Sequence, residues 1–158
     1  MVVLAFLATA ATLGFLFWNF PSAKIFMGDA GSGFLGILLG TLSLMAGLEA
    51  PALFWSWVIL LGVFVVDATV TLFRRLARQQ RLHEAHRSHA YQVAARRFGA
   101  HRPVSIAVGL INLFWLLPIA WMVAAGTISG VVGVLIAYAP LVGLAFYLKA
   151  GAAELQSA

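Results

Sequence analysis

Residues 19–36 read NFPSAKIFMGDAGSGFLG, a polar stretch between two apolar runs that are each long enough to be a candidate membrane span. Its central acid, Asp29, is flanked by Gly28 and Gly31, which let the backbone turn sharply and approach a ligand closely. Ser32 is predicted to be the N-cap of a following helix, whose N-terminus would attract phosphate. Because Asp29 would repel that phosphate, a cation such as Mg²⁺ is expected between them. The stretch therefore predicts a magnesium-pyrophosphate loop at a membrane surface.

Two glycine patterns in and beside this stretch are weaker evidence for a binding site. Gly31-x-Gly33-x-x-Gly36 matches the dinucleotide-binding fingerprint, but that fingerprint requires a preceding strand, and the flanks here are predicted helices. Gly36-x-x-x-Gly40 is typical of a face where two membrane helices approach closely, and packing is the favoured interpretation for these two glycines. Gly28 and Gly31 are expected outside the helix, where they shape the loop.

The composition indicates a membrane protein. Of 158 residues, 63% are hydrophobic and only 9% are charged, and the mean hydropathy is +0.99, far above that of soluble proteins. The absence of cysteine excludes disulfides and Cys-based metal sites. A net charge of +5 does not indicate a nucleic-acid partner, because eight of the ten basic residues lie between Arg74 and Arg102, in one loop between apolar runs. The lipid bilayer is the expected surrounding.

Five apolar runs predict an all-α, polytopic protein with one membrane domain over residues 1–158. The predicted spans are residues 2–18, 33–48, 52–73, 103–125 and 128–149. Two polar loops, residues 19–32 and 74–102, then lie on the same side of the membrane. The basic residues of the second loop make that side cytoplasmic, since basic loops remain inside.

Asp67 is an acid inside a predicted span, six residues before the last apolar residue of that span. Ionisable groups within spans are rare and usually face a bundle interior or an aqueous cavity, which makes Asp67 a candidate binding residue. A structural ion pair with Arg74 or Arg75, about two helical turns away, is nearly as strongly favoured.

The second loop carries three histidines at intervals of three residues, His83, His86 and His89. We discount zinc, because this spacing drifts around a helix and a His-Glu-x-x-His pattern is absent. Arg87 could instead clamp a phosphate with two hydrogen bonds, with His86 or His89 as its charge or proton partner. From the residues alone, a solvated basic loop on anionic lipid headgroups is the favoured alternative.

Three segments together resemble a known family. They read NFPSAKIFMGDAGS at 19–32, DATVTLFRR at 67–75 and AHRSHAYQ at 85–92. In these segments the chain is similar to the polyprenyl-phosphate N-acetylhexosamine-1-phosphate transferases. Within that superfamily it most resembles glycosyltransferase family 4 enzymes of the WbpL and WecA type, with MraY of peptidoglycan synthesis more distant. The similarity is to the C-terminal portion of such enzymes.

The resemblance implies roles for individual residues. Asp29 matches the motif aspartate that is associated with Mg²⁺, for which Mn²⁺ is an alternative, and Phe26 matches an aromatic that lies against uracil. Catalytic roles are implied for the motif aspartate and for the cytoplasmic histidine motif: Asp29, His86, Arg87 and His89. Substrate binding is implied for Asn19, Lys24, Phe26, Gly28 and Asp67. The histidine motif is incomplete here, so the important imidazole is either His86 or His89.

The implied reaction transfers a sugar 1-phosphate from a UDP-N-acetylhexosamine to undecaprenyl phosphate and releases UMP. It would initiate O-antigen or a related cell-surface polysaccharide at the cytoplasmic face of the bacterial inner membrane. The chain departs from the family because it lacks the adjacent aspartates that precede the matched region. We therefore expect this chain to be a C-terminal fragment of a larger transferase and to be inactive alone. Its expected partner is a missing N-terminal half or a second copy in a homodimer.

Two other classes remain open. One is a non-catalytic membrane protein that binds polyprenyl phosphate or assists a complete paralogue. The other is a small transporter element with Asp67 on the transport path, for which inverted repeats and polar groups at mid-bilayer depth are expected. The polar groups here gather at one interface, which favours chemistry at the lipid surface.

Overall fold

All regular secondary structure in the described residues is helical. The computed structural model describes residues 2–20, 23–25, 27–79 and 88–152, and these ranges contain no strand. The helices are α1 (Val2–Asn19), α2 (Gly28–Glu49), α3 (Pro51–Leu60), α4 (Gly62–Ala77), α5 (Ala90–Phe98), α6 (His101–Ile111), α7 (Leu117–Ala124) and α8 (Gly130–Tyr147). A π-helical turn, Asn112–Leu116, joins α6 to α7. The predicted all-α class is confirmed.

Within the described ranges, four helical stretches are long and apolar enough to cross a membrane. They are α1, α2, the continuous stretch His101–Ala124, and α8. The pair α3 and α4 is a fifth if its two helices form one span, although they are bent by 67° relative to each other. The prediction of a polytopic membrane protein with about five spans is confirmed.

The two polar loops contain more helix than the sequence predicted. Helix α2 begins at Gly28, where φ of +67° turns the chain into the helix five residues earlier than expected. Met27 holds the N-cap position, so the prediction of Ser32 as the N-cap is wrong, and Ser32 instead donates to the backbone oxygen of Asp29 (3.1 Å). Gly31 consequently lies inside α2 rather than in the loop. In the second loop, α4 is longer than predicted and α5 was not predicted.

The third predicted span is broken at residue 61, between α3 and α4. Gly62 lies against the ring of Tyr138, because a Cβ at Gly62 would lie 2.8 Å from Tyr138 Cε1. The Tyr138 hydroxyl donates to the carbonyl oxygen of Val58 (2.7 Å), in the last turn of α3, where carbonyl groups need partners outside the helix. These contacts come from α8, so an uninterrupted apolar run in the sequence gives no sign of the break.

The buried core lies where α3, α7 and α8 meet. Its members include Ile59, Leu116, Ile119, Val123, Ala137 and Leu141. Within the core, Ser56 Oγ donates to the carbonyl oxygen of Ala120 (2.9 Å), which joins α3 to α7 and satisfies a buried hydroxyl. Helix α2 packs on α3 through its C-terminal half, whereas α1 has no buried residue. The junction of α1 and α2 is therefore not buried against the other described helices.

The predicted close-approach face of α2 has no partner among the described residues. A Cβ added at Gly36 or Gly40 would meet nothing within 4 Å. The close approaches lie elsewhere, at Gly130 and Gly133 of α8 and at Gly47 near the end of α2, where a Cβ would lie 2.9 Å from Phe54 Cβ in α3.

Gly133→Ala should destabilise the helical bundle. A Cβ at Gly133 would overlap Val123 Cγ2 and lie 3.0 Å from Ile59 Cδ1, so α8 must move away from α7 and α3. Overpacking of this kind costs about 1–3 kcal/mol. Gly143→Ala on the same helix is the matched control, because nothing lies within 4 Å of its added Cβ. Thermal unfolding in nanodiscs measures both variants, and equal melting temperatures would contradict the packing role of Gly133.

Candidate functional site

Asp29 lies in the first turn of α2, and its side chain is exposed. Among the described residues, its carboxylate has no hydrogen-bond or ion-pair partner. Unpaired N–H groups and the dipole at a helix N-terminus stabilise a negative charge in this position. The arrangement leaves a charged carboxylate available to a cation or ligand.

Asn19 and Lys24 shape the segment that leads into α2. The Asn19 side-chain amide donates to the carbonyl oxygen of Ile25 (2.9 Å), and the backbone N–H of Lys24 donates to Trp18 (3.0 Å). The ammonium group of Lys24 lies 5.6 Å from the centre of the Trp18 ring, within the range of a cation–π interaction. Asn19 therefore closes the segment, and Lys24 adds a positive charge to it.

Asp67 belongs to a second group of candidate site residues, which lies where α4 meets the start of α5. Its Oδ1 accepts from the backbone N–H of Ala90 (2.7 Å) and from the Thr71 hydroxyl (3.2 Å). Its Oδ2 accepts from the backbone N–H of Tyr91 (3.5 Å), and His89 Nδ1 lies 3.5 Å from Oδ1. With only 13% of its side chain exposed, Asp67 is largely occupied by the protein itself.

The ion pair that the sequence allowed for Asp67 does not form with either arginine in the described structure. The Arg74 guanidinium instead lies over the ring of Phe146, 5.1 Å from its centre. Arg75 is buried. The prediction was wrong because the backbone N–H groups of α5, a helix that the sequence did not reveal, take the place of an arginine.

A cavity of about 540 Å³ lies beside Asp67 and His89, between α4 and α6. Most of its lining is apolar, and α6 and the π-helical turn contribute two polar residues, Ser105 and Asn112. Their side chains donate to carbonyl groups one turn back in the same helix, at 3.2 and 3.0 Å. Neither residue was predicted from the sequence. Polar residues seven apart in an apolar span share a helix face, and that spacing is the signal that could have found them.

Among the described residues, the structure brings the predicted site residues Asp67 and His89 together from separate parts of the chain. A separate group lies around the α1–α2 junction and consists of Asn19, Lys24, Gly28 and Asp29. No hydrogen bond or ion pair between described residues joins the two groups. Three more predicted site residues lie outside the described ranges: Phe26, His86 and Arg87. The described residues also contain no group of three His, Cys, Asp or Glu that could hold a metal ion.

Residues 1–47 match the family model described as Glycosyl transferase family 4. This match contains α1, the segment closed by Asn19, and Asp29 in the first turn of α2. Residues 1–47 are thus similar to glycosyl transferase family 4. The superfamily predicted from the motifs is thereby confirmed.

The curated proteins that are similar to this chain include undecaprenyl-phosphate sugar 1-phosphate transferases. A probable undecaprenyl-phosphate N-acetylglucosaminyl 1-phosphate transferase of Bacillus subtilis (strain 168) is 39% identical over 115 residues, which are 71% of this chain and 32% of the relative. A Thermotoga maritima undecaprenyl-phosphate alpha-N-acetylglucosaminyl 1-phosphate transferase is 32% identical over 66% of this chain and 35% of the relative. A phospho-N-acetylmuramoyl-pentapeptide-transferase of Chlamydia muridarum is 31% identical over 72% of this chain and 36% of the relative.

The chain spans about a third of the length of these curated relatives. No solved structure matches it significantly. The family 4 region contains Asp29, whereas Asp67 and His89 lie outside that region. The match to the family model therefore supports the group around Asp29, and geometry supports the group around Asp67.

Proposed function

We propose that the chain forms part of a phosphoglycosyl transferase that moves a sugar 1-phosphate from a UDP-N-acetylhexosamine to undecaprenyl phosphate. In this reaction the P–O bond between the two phosphates of the donor breaks, a bond to the lipid phosphate forms, and UMP leaves. The observation that carries the proposal is Asp29, an exposed carboxylate without a described partner, inside the family 4 region. The names of the Bacillus subtilis and Thermotoga maritima relatives support the substrate classes.

The proposed reaction takes place at the membrane surface. A soluble nucleotide sugar and a lipid phosphate can meet only at an interface, and Asp29 lies at the junction of two candidate spans. Eight of ten basic residues lie in the other polar region, between Arg74 and Arg102, which supports the cytoplasmic face of a bacterial inner membrane. The product would begin an O-antigen or a related cell-surface polysaccharide.

We propose Mg²⁺, with Mn²⁺ as an alternative, as the cation at Asp29, which offers one carboxylate ligand. Mg²⁺ commonly binds one or two carboxylates and completes its coordination with water and substrate phosphates. When bound, it would neutralise charge on the diphosphate of the donor. Asp29 would hold the cation at the start of α2. The Asn19 hydrogen bond to Ile25 would keep the preceding segment in place, and Lys24 would add positive charge beside the diphosphate.

We propose further that the chain alone does not complete this site. It has five acids, and of the two at the polar loops that the structure describes, Asp67 is already occupied by donors from α4 and α5. Among the described acids of these two loops, only Asp29 remains available as a carboxylate ligand. Acids from the rest of a longer protein, or from a second copy in a homodimer, would supply the remainder.

A chimera tests the proposed reaction. This chain replaces the segment that it matches in the Bacillus subtilis relative, and the purified chimera in nanodiscs is assayed for UMP release from UDP-N-acetylglucosamine. We expect release only when undecaprenyl phosphate and Mg²⁺ are both present. A chimera that unfolds cooperatively on heating, and is therefore folded, but releases no UMP would contradict the proposal. Tight lipid-phosphate binding by that inactive chimera would favour the non-catalytic alternative.

A further inference from the structure

Helix α5 is capped both by its own residues and from another helix. Its N-cap residue, His89, forms a capping box with Gln92, whose side-chain oxygen accepts from the backbone N–H of His89 (3.3 Å). The next two N–H groups, those of Ala90 and Tyr91, donate to the carboxylate of Asp67 in α4, at 2.7 and 3.5 Å. Groups in this position have no partner within their own helix. Asp67 thus supplies an additional cap across the α4–α5 junction.

We propose that Asp67 is a positioning residue, which fixes the start of α5 and with it the His89 imidazole at the polar end of the cavity. The role of the imidazole toward substrate rests on the proposed function, whereas the capping of α5 does not. Asp67 is then not a substrate ligand, although the family resemblance implied that role.

The surroundings of Asp67 favour positioning over substrate binding. Oδ1 already has Ala90 N, Thr71 Oγ1 and His89 Nδ1 within 3.5 Å. The side chain of Asp67 is 13% exposed, whereas that of His89 is 30% exposed. The imidazole is therefore the member of the pair that a ligand in the cavity can reach. With Nδ1 facing the carboxylate, the ring is held in one orientation.

A second anchor fixes the same point of the chain. Ser88 is buried, and its carbonyl oxygen accepts from the backbone N–H of Gly151 (2.7 Å), just beyond α8. Gly151 itself has a φ of +69° and lies close to the backbone of Thr71 in α4. The segment that enters α5 is consequently held from both α4 and α8. Asp67 contributes the only charged side chain among these described anchoring contacts.

Amide hydrogen exchange of the chain in nanodiscs tests the capping of α5 without any need for activity. Asp67→Ala should speed exchange in the first turn of α5 about tenfold or more, because two N–H groups lose their acceptor. Asp67→Asn keeps one acceptor oxygen and should speed exchange about threefold. Glu49→Gln, an exposed acid at the far end of α2, is the matched control and should change nothing in α5. Unchanged exchange in Asp67→Asn and Asp67→Ala would overturn the proposal.

Two further readouts separate positioning from a general structural role. The ¹⁵N chemical shifts of His89 should change in Asp67→Asn even where the fold is intact, because the imidazole loses its charged partner. In the chimera, Asp67→Asn should lower kcat about tenfold and leave KM for the nucleotide sugar within about twofold. A raised KM with unchanged kcat would instead identify Asp67 as a substrate ligand. Unchanged His89 shifts would overturn the positioning of the imidazole, whether or not the chimera is active.

Discussion

Asp29→Asn in the chimera with the Bacillus subtilis relative is expected to lower the rate of UMP release about 100- to 1,000-fold. The amide keeps the size of the side chain but removes the charge that would hold a cation against the diphosphate. The fold should survive, because Asp29 is exposed and has no partner among the described residues. The lost interaction with the N-terminus of α2 is worth only about 0.3–1 kcal/mol.

Glu49→Gln provides the matched control for Asp29→Asn. It removes an exposed carboxylate from the opposite end of the same helix, far from the junction with α1. We expect its rate of UMP release to stay within about twofold of the parent chimera, since exposed surface changes are usually small. Near-parental release by Asp29→Asn would refute the metal-binding role, and equal losses in both variants would show general damage to α2.

The chain alone in nanodiscs should release at least about 100-fold less UMP than the chimera under the same conditions. Asp29 is the one carboxylate at the described polar loops that is free of protein donors, and the described residues hold no group of three metal-ligating side chains. Cooperative thermal unfolding of the same sample shows that it is folded. Turnover by the chain alone at a rate near that of the chimera would refute the need for further acids.

Features set by length and hydrophobicity were predictable from the sequence. The first apolar run predicts residues 2–18, and the structure has a helix over Val2–Asn19. The bend between α3 and α4 was not predictable in this way, because Tyr138 and Gly62 are far apart in sequence and meet only when α8 packs. Hydrophobic patterns report burial in an apolar medium, whereas the bend depends on one hydrogen bond and one close contact.

The candidate site was predictable where it is local and not where it depends on folding. The motif around Asp29 lies within one short segment, so its residues were recognised together. Asp67 was recognised as an unusual acid, but three of its partners, His89, Ala90 and Tyr91, lie 22 to 24 residues further along, at the start of a helix within a basic loop. The inner face of that helix consists of alanines, which are buried although their neighbours are charged: Ala90, Ala94 and Ala95. Their spacing is helical and could have revealed α5.

The fate of the second phosphate of the donor tests the central claim most directly. UDP-N-acetylglucosamine labelled with ³²P at the β-phosphate is incubated with the chimera, undecaprenyl phosphate and Mg²⁺, and lipid and aqueous fractions are separated. Transfer of sugar 1-phosphate predicts that the label enters the lipid fraction while unlabelled UMP forms. If the label stays in the aqueous fraction as UDP while the sugar moves to lipid, the chain takes part in ordinary glycosyl transfer, and the proposed reaction is wrong.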